Sequence, residues 1–297
     1  MIMKTRIQFL VLAVSLASLP GILQAQPSAH YVPGAEGIKG ASLPPPGFYI
    51  RDYNYFYWAD QLNDSSGNKN GPADLKTFTY ANLPRVIWIT DTKFLGGFVG
   101  VDGFLPLVYH QLSLKPSYSS DTFGVGDFFA EGTLSWHVKQ FDFSVGSGVD
   151  APTGDSPTSP GPSTTPGSGY WTFMQTAGAT WYIDEEKTWA VSALNRFEFN
   201  TEQRDTHITP GDAYTLEWGV SKTVAKVVDL GMVGYYQQQV TGNSDRSPLN
   251  RVAAVGPEVN VAFPKPMLFV SLRYNYEFMA ESRAQGNAVT LILTKRF

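Results

Sequence analysis

Four histidines, His30, His110, His137 and His207, are the residues best suited to move a proton or hold a metal ion. Nucleophilic catalysis needs a histidine within hydrogen-bond reach of a serine, and a third polar group to orient it. Only His137 has such a neighbour: Ser135 precedes it by two residues in "LSWHVKQ", on the same face of an extended strand. That spacing is common by chance, and no G-x-S-x-G turn accompanies it. His110 and His207 fall in or beside segments read as loops, and His30 precedes the first strand. The histidines are far apart, no H-E-x-x-H occurs, and cysteine is absent, which leaves no zinc or thiolate site and no disulfide framework. "GVGDFF" is a strand start with two glycines rather than a phosphate-binding loop. The expectation is a chain without catalytic residues, cofactor or metal, and a barrel enzyme acting on lipids is kept as an alternative.

What must position the polar residues follows from composition. Residues 1–25, "MIMKTRIQFLVLAVSLASLPGILQA", have two cations, Lys4 and Arg6, followed by an apolar run, and read as a cleaved secretory signal peptide. Its removal takes the 22 basic side chains to 20 against 26 acidic ones, a balance of −6. An acidic chain without clustered Lys and Arg is a poor partner for nucleic acid. No later stretch approaches the roughly 18 apolar residues of a spanning helix. With aromatics at 14%, charged residues at only 16%, and 28 Gly and 20 Pro, the composition argues for an all-β protein.

Periodicity carries that argument further. In "MLFVSLRYNYEFMA", Leu268, Val270, Leu272, Tyr274, Tyr276 and Phe278 share one face, and Phe269, Ser271, Arg273, Asn275 and Glu277 the other. "AYTLEWGVSKTV" and "FDFSVGSGVD" alternate in the same way. About twelve such runs begin near Phe48, Lys76, Phe94, Gly124, Phe141, Tyr170, Thr188, Asp212, Val228, Arg251, Met267 and Asn287. Their connections alternate between long polar ones, such as "HQLSLKPSYSSDT" and "PTGDSPTSPGPSTTPGSG", and short ones, such as "DTK", "KQ" and "AKV". Short turns at one end and longer loops at the other belong to a transmembrane barrel. Residues 47–297 are therefore expected to form an antiparallel transmembrane β-barrel of about 12 strands in the outer membrane of a Gram-negative bacterium. Seven Trp and fifteen Tyr suit its two interfacial girdles. The chain ends "NAVTLILTKRF"; this looks like the C-terminal strand signal of such barrels, with Phe297 presented to the barrel-assembly machinery and Lys295 as a departure from it.

"GAEGIKGASLPPPGFYI", the aromatic "YNYFYW", "GVGDFFAEGTLSW", "GVDAPTG" and "GPEVNVAF" together resemble a transporter-like outer-membrane family labelled "putative meta-pathway of phenol degradation". The resemblance runs from about Gly34 to Phe297. It implies a signal peptide, an outer-membrane barrel, and the movement of small hydrophobic or aromatic compounds.

The alternation turns Asp102, Glu131, Asp142, Arg196, Glu198, Glu217, Arg273, Asn275 and Glu277 toward the interior, with Phe98, Phe104 and Phe269 as aromatic wall residues. Both signs of charge occur, so no single-sign selectivity ring is visible. These groups either pair across the lumen or line a path for a small solute. The segment 26–46 has no alternation, and Pro44, Pro45 and Pro46 favour an extended conformation. It is either a disordered periplasmic tail or a plug, with Gly34, Gly37 and Gly40 at places of close backbone approach. The Pro/Ser/Thr/Gly run after Ala151 reads as a flexible extracellular loop. Asp64, Asp121, Asp155 and Asp245 are loop acids that would meet solvent, or divalent ions on lipopolysaccharide. The combined reading is a monomeric channel in outer-membrane lipid for passive uptake of small hydrophobic or aromatic solutes. A structural or adhesive barrel is a further alternative.

Overall fold

The computed structural model describes residues 29–71 and 74–297; the expected signal peptide lies outside the described residues. Fourteen strand segments follow one another: β1 (Gly47–Leu62), β2 (Leu75–Phe94), β3 (Gly97–Phe104), β4 (Leu107–Leu114), β5 (Tyr118–Val125), β6 (Phe128–Val138), β7 (Phe141–Ala151), β8 (Thr172–Tyr182), β9 (Trp189–Asn200), β10 (Ala213–Val224), β11 (Val228–Gln239), β12 (Arg251–Phe263), β13 (Leu268–Glu281) and β14 (Ala284–Arg296). Every pairing is antiparallel, and no helix occurs among the described residues.

The segments make a closed 12-strand barrel, because two crossings are each built from two pieces. β2 pairs with β3 over Arg85–Phe94 and with β4 over Leu75–Asn82. β3 in turn pairs with β6, and β4 with β5. Two interruptions, at Leu105–Pro106 and Gly126–Asp127, therefore sit side by side in the wall. Pro106 has no N–H to give to a ladder, and its carbonyl instead accepts the Gly126 N–H at 2.8 Å. Closure is made by β1, which pairs with β2 on one side and β14 on the other, from Tyr49↔Arg296 to Leu62↔Ala284. The Phe297 N–H donates to the Phe48 carbonyl at 2.9 Å, so the seam is hydrogen-bonded to the last residue.

The alternation has the sense a lipid solvent demands. On β13, Arg273, Asn275 and Glu277 are buried, and Leu272, Tyr274, Tyr276 and Phe278 are exposed on the outer face. On β7, Phe141, Phe143 and Val145 face out, and Asp142 and Ser144 face in. Exposed Trp58 and Trp171 lie near one rim, and Trp88, Trp181 and Trp189 near the other.

Four connections at one rim are long (63–74, 152–171, 201–212 and 240–250), although the other two there are turns at 115–117 and 282–283; those at the opposite rim (95–96, 139–140, 183–188, 225–227 and 264–267) are all short. The stretch "HQLSLKPSYSSDT" is not a long loop. It is the end of β4, a turn at 115–117 and the start of β5, so His110 and Asp121 are strand residues. Polarity on both faces misleads there because these strands extend toward the loop rim. Likewise "DTK" belongs to β2, and the turn falls at Leu95–Gly96. The run 152–171 packs against the outer edge of β5, which has no strand partner. Thr164 Oγ1 lies 2.8 Å from Thr122 Oγ1, and Asp127 accepts the N–H groups of Gly154 and Ser168 at 2.9 and 2.7 Å.

Val145 is exposed near the middle of β7. Val145→Arg is expected to destabilise the lipid-embedded barrel by about 2–4 kcal/mol, read as a lower denaturant midpoint for reversible unfolding from vesicles.

Candidate functional site

The leader, residues 29–46, lies inside the barrel, from His30 toward the loop rim to Pro46 at the turn rim, where β1 begins. Its backbone donors would be orphaned in a dry lumen; inward-facing carboxylates receive them. Glu198 accepts the Tyr31 N–H at 2.9 Å. Glu217 accepts the N–H groups of Gly34 and Glu36, both at 2.9 Å, and the Tyr31 hydroxyl at 2.7 Å. Glu258 accepts the Ile38 N–H at 3.0 Å. In the other direction Arg273 donates to the Gly34 carbonyl, and Gln237 to that of Tyr31 at 2.9 Å.

Two glycines make this approach possible. Gly34 has φ +84°, and a Cβ there would come within 2.8 Å of the Tyr235 ring. A Cβ on Gly37 would stand 1.9 Å from Glu258 Oε2. Gly40 closes a tight turn by donating to the Gly37 carbonyl at 2.9 Å. At the rim, the Tyr49 hydroxyl donates to the Pro45 carbonyl at 2.7 Å and Arg296 to that of Pro46 at 3.0 Å. Pro44 borders the cavity beside them.

The carboxylates are paired as well as capped. Arg196 meets Glu217 at 2.5 Å, and Arg273 meets Glu258 at 2.8 Å, with all four side chains buried. Arg85 reaches Asp102 at 2.8 Å, Glu131 at 3.3 Å and Glu36 of the leader at 3.5 Å, and Arg51 reaches the other Glu36 oxygen at 2.9 Å. Glu277 accepts the hydroxyls of Tyr57 and Tyr235 at 3.0 and 2.9 Å, and Asn275 lies against Gly34. Asp142 is set apart nearer the turn rim, between His137 and the Tyr182 hydroxyl, both at 2.9 Å. Ser135 Oγ has no hydrogen-bond partner, so Ser135 and His137 are not joined. Among the described residues no cluster suited to a metal ion occurs. Phe104 packs against Phe129, Phe98 against the Tyr49–Ile87–Ile89 cluster, and Phe269 stands at the turn-rim mouth.

Three cavities follow one another along this interior. One of about 460 Å³ opens under the loop rim, lined by Leu62, Leu75, Leu112, Leu114, Pro157, Pro160 and Pro162 together with polar groups such as Thr77, His110, Gln203 and Arg283. One of about 180 Å³ lies behind the interruptions in the wall, between the leader and Tyr53, Leu83, Phe104 and Phe129. One of about 590 Å³ opens at the turn rim around Ile38–Pro45. The second and third share Glu36, Arg85, Glu131 and Arg196, so an ionic constriction stands between them.

Arg51, Arg85 and Glu258 were missed by sequence reasoning, although alternation places each on the inner face: Arg85 shares its face with Ile87 and Ile89. His30, Tyr31 and Glu36 carried no signal, because nothing in the leader's sequence says where it lies. Burial pulls the His30 pKa down, but its bond to Asp127 at 2.9 Å and the nearby charges of Asp150 and Glu198 outweigh that and raise it above 6.5. Burial pushes Glu36 up, but Arg51, Arg85 and Arg196 outweigh it and hold it below 4.5.

The family model described as "Putative MetA-pathway of phenol degradation" matches residues 59–293. Among solved structures, the chain is similar to the COG4313 outer membrane channel from Pseudomonas putida F1, at 16% identity and a TM-score of 0.77 over 90% of this chain and 100% of that one. Similarity to the beta domain of the Bordetella autotransporter BrkA is weaker, at 12% identity and 0.48 over 86% and 100%. For the KdgM porin the values are 11% and 0.43 over 83% and 99%. At these identities the likeness is one of fold, and only the first score is high enough to carry it. No curated protein matches the chain.

Removing one member of a buried ion pair costs about 3–5 kcal/mol because the other charge is left unpaired. Glu217→Ala is therefore expected to free the leader while the barrel stays folded. Since the chain lacks cysteine, a spin label on Ala35→Cys is unique; its spectrum should become mobile, and the heat-dependent shift in electrophoretic mobility should persist.

Docking also depends on pH. The raised His30 pKa gives a contribution complete below 6.5 and lost as pH rises through the raised value. The lowered Glu36 pKa gives one complete above 4.5 and lost as pH falls through the depressed value. The same label should be least mobile between those two values and loosen on both sides.

Proposed function

From the premise that this chain belongs to the family described as "Putative MetA-pathway of phenol degradation", we propose that it is an outer-membrane channel for passive uptake of small hydrophobic or aromatic molecules, with residues 29–46 as its plug. The observation that carries the reading is the file of three cavities along a lumen occupied by its own leader. The rim with longer loops is extracellular and the rim with the two chain ends of the barrel is periplasmic, following the usual asymmetry of such barrels. Outer-membrane lipid and lipopolysaccharide surround the barrel, Phe297 is displayed to the assembly machinery, and the barrel works as a monomer.

Several features support an apolar cargo. Four leucines and three prolines lie among the polar residues of the outer cavity, aromatic and aliphatic side chains wall the middle one, and Arg85, Glu36, Glu131, Glu217 and Glu258 nearby already face charged partners. A hydrated ion passing through would have to displace those partners, whereas an apolar solute has carbon to slide along as far as the ionic constriction. The ionic constriction contains Glu36, a leader residue, so a shift of the leader opens it. Diffusion down a gradient suffices, as in channels generally. A lipid hydrolase is disfavoured by the unjoined Ser135 and His137. An adhesive barrel would leave the internal cavities without a use.

Removal of residues 29–46 is expected to raise single-channel conductance at least severalfold in planar bilayers. Liposomes containing the intact protein should admit neutral monocyclic aromatics faster than sugars of similar mass. Equal rates for both classes, or an unchanged conductance after deletion, would contradict a plugged hydrophobic channel.

A further inference from the structure

The middle cavity is smaller and more apolar than a mere gap between plug and wall needs to be. Its volume of about 180 Å³ is close to the roughly 150 Å³ of an engineered apolar cavity that stays dry and binds benzene. The wall is made by Ala81, Leu83, Phe104, Val108, Phe129 and Met174. The rings of Phe104 and Phe129 stand 5.0 Å apart and tilted by 32°, forming a corner rather than filling the space. Tyr31 and Ala35 of the leader close the opposite side.

The polar groups at the margin restrict the ligand further. Thr290 Oγ1 and Arg196 Nε are buried without a hydrogen-bond partner, and both residues line the cavity. Unsatisfied buried groups of this kind are costly and call for a partner. The carboxylates at the margin, Glu36, Asp127, Glu131 and Asp150, outnumber the cationic side chains Arg85, Arg196 and His30 there, which disfavours an anion.

We propose that this cavity is a binding site for an uncharged monocyclic aromatic bearing one small hydrogen-bonding substituent, clasped between the leader and the wall. The site deepens the channel reading and rests on it for its place along the route. The ring lies in the corner of Phe104 and Phe129, and the substituent meets Thr290 or Arg196. Two fused rings exceed the space, and an ionised substituent meets the surrounding carboxylates.

Calorimetry on the full-length mature protein in phosphatidylcholine nanodiscs, with empty nanodiscs subtracted, tests the site. Phenol is expected to bind saturably at one equivalent, benzoate at least tenfold more weakly, and 2-naphthol without saturation. Ala81→Phe, which fills the cavity, should abolish phenol binding. Met174→Ala removes bulk and should admit 2-naphthol; a gained ligand cannot arise from misfolding. Saturable phenol binding that survives Ala81→Phe, benzoate binding as tightly as phenol, or no gain in Met174→Ala overturns the site. Selective binding without flux through liposomes leaves the site standing and removes the channel, and flux without saturable binding does the reverse.

Discussion

Every backbone N–H and C=O carried through an apolar slab must find its partner within the sheet, and the rest of this structure depends on how that obligation is met. The sheet has to close, and closure is made where β1 lies between β2 and β14. Phe297 completes that seam by bonding to Phe48, which explains why an amphipathic strand runs to the extreme end of the chain. Once the sheet is closed, side chains sort by parity alone. Outward positions carry rings and aliphatics, inward positions carry carboxylates and guanidiniums, and the interior becomes a narrow space crowded with charge.

Such a space is stable only if its charges are paired and its lone pairs occupied. Arginines from the wall do part of this, and the leader does the rest by presenting unpaired backbone donors to Glu198, Glu217 and Glu258. The two sets of groups are complementary: an irregular, turn-containing leader has N–H groups without secondary-structure partners, and the lumen has acceptors without donors. This complementarity accounts for the small residues at Gly34 and Gly37, where backbone lies against Tyr235 and Glu258 with no room for a side chain.

Much of this was legible in the sequence, for a physical reason. Period-two alternation is imposed by the lipid on every crossing, so Arg273, Asn275 and Glu277 could be turned inward from pattern alone. What defeats pattern reading is any place where the lipid no longer dictates polarity. β4 and β5 reach beyond that influence, and their polar residues look like a loop although they form strands. The paired interruptions at Leu105–Pro106 and Gly126–Asp127 were hidden because apolar residues flank them on both sides. For the leader, prolines and glycines left tail and plug equally open; its carboxylate partners lie 97 or more residues away and leave no trace in its own composition.

The placement of the clasps has one more effect. Dissolved salt screens charges only where mobile ions can approach them, over a distance of about 8–10 Å in ordinary buffers. The Arg196–Glu217 and Arg273–Glu258 pairs are buried inside a wall that faces lipid. Brackish and dilute surroundings thus leave the leader equally anchored to these two pairs.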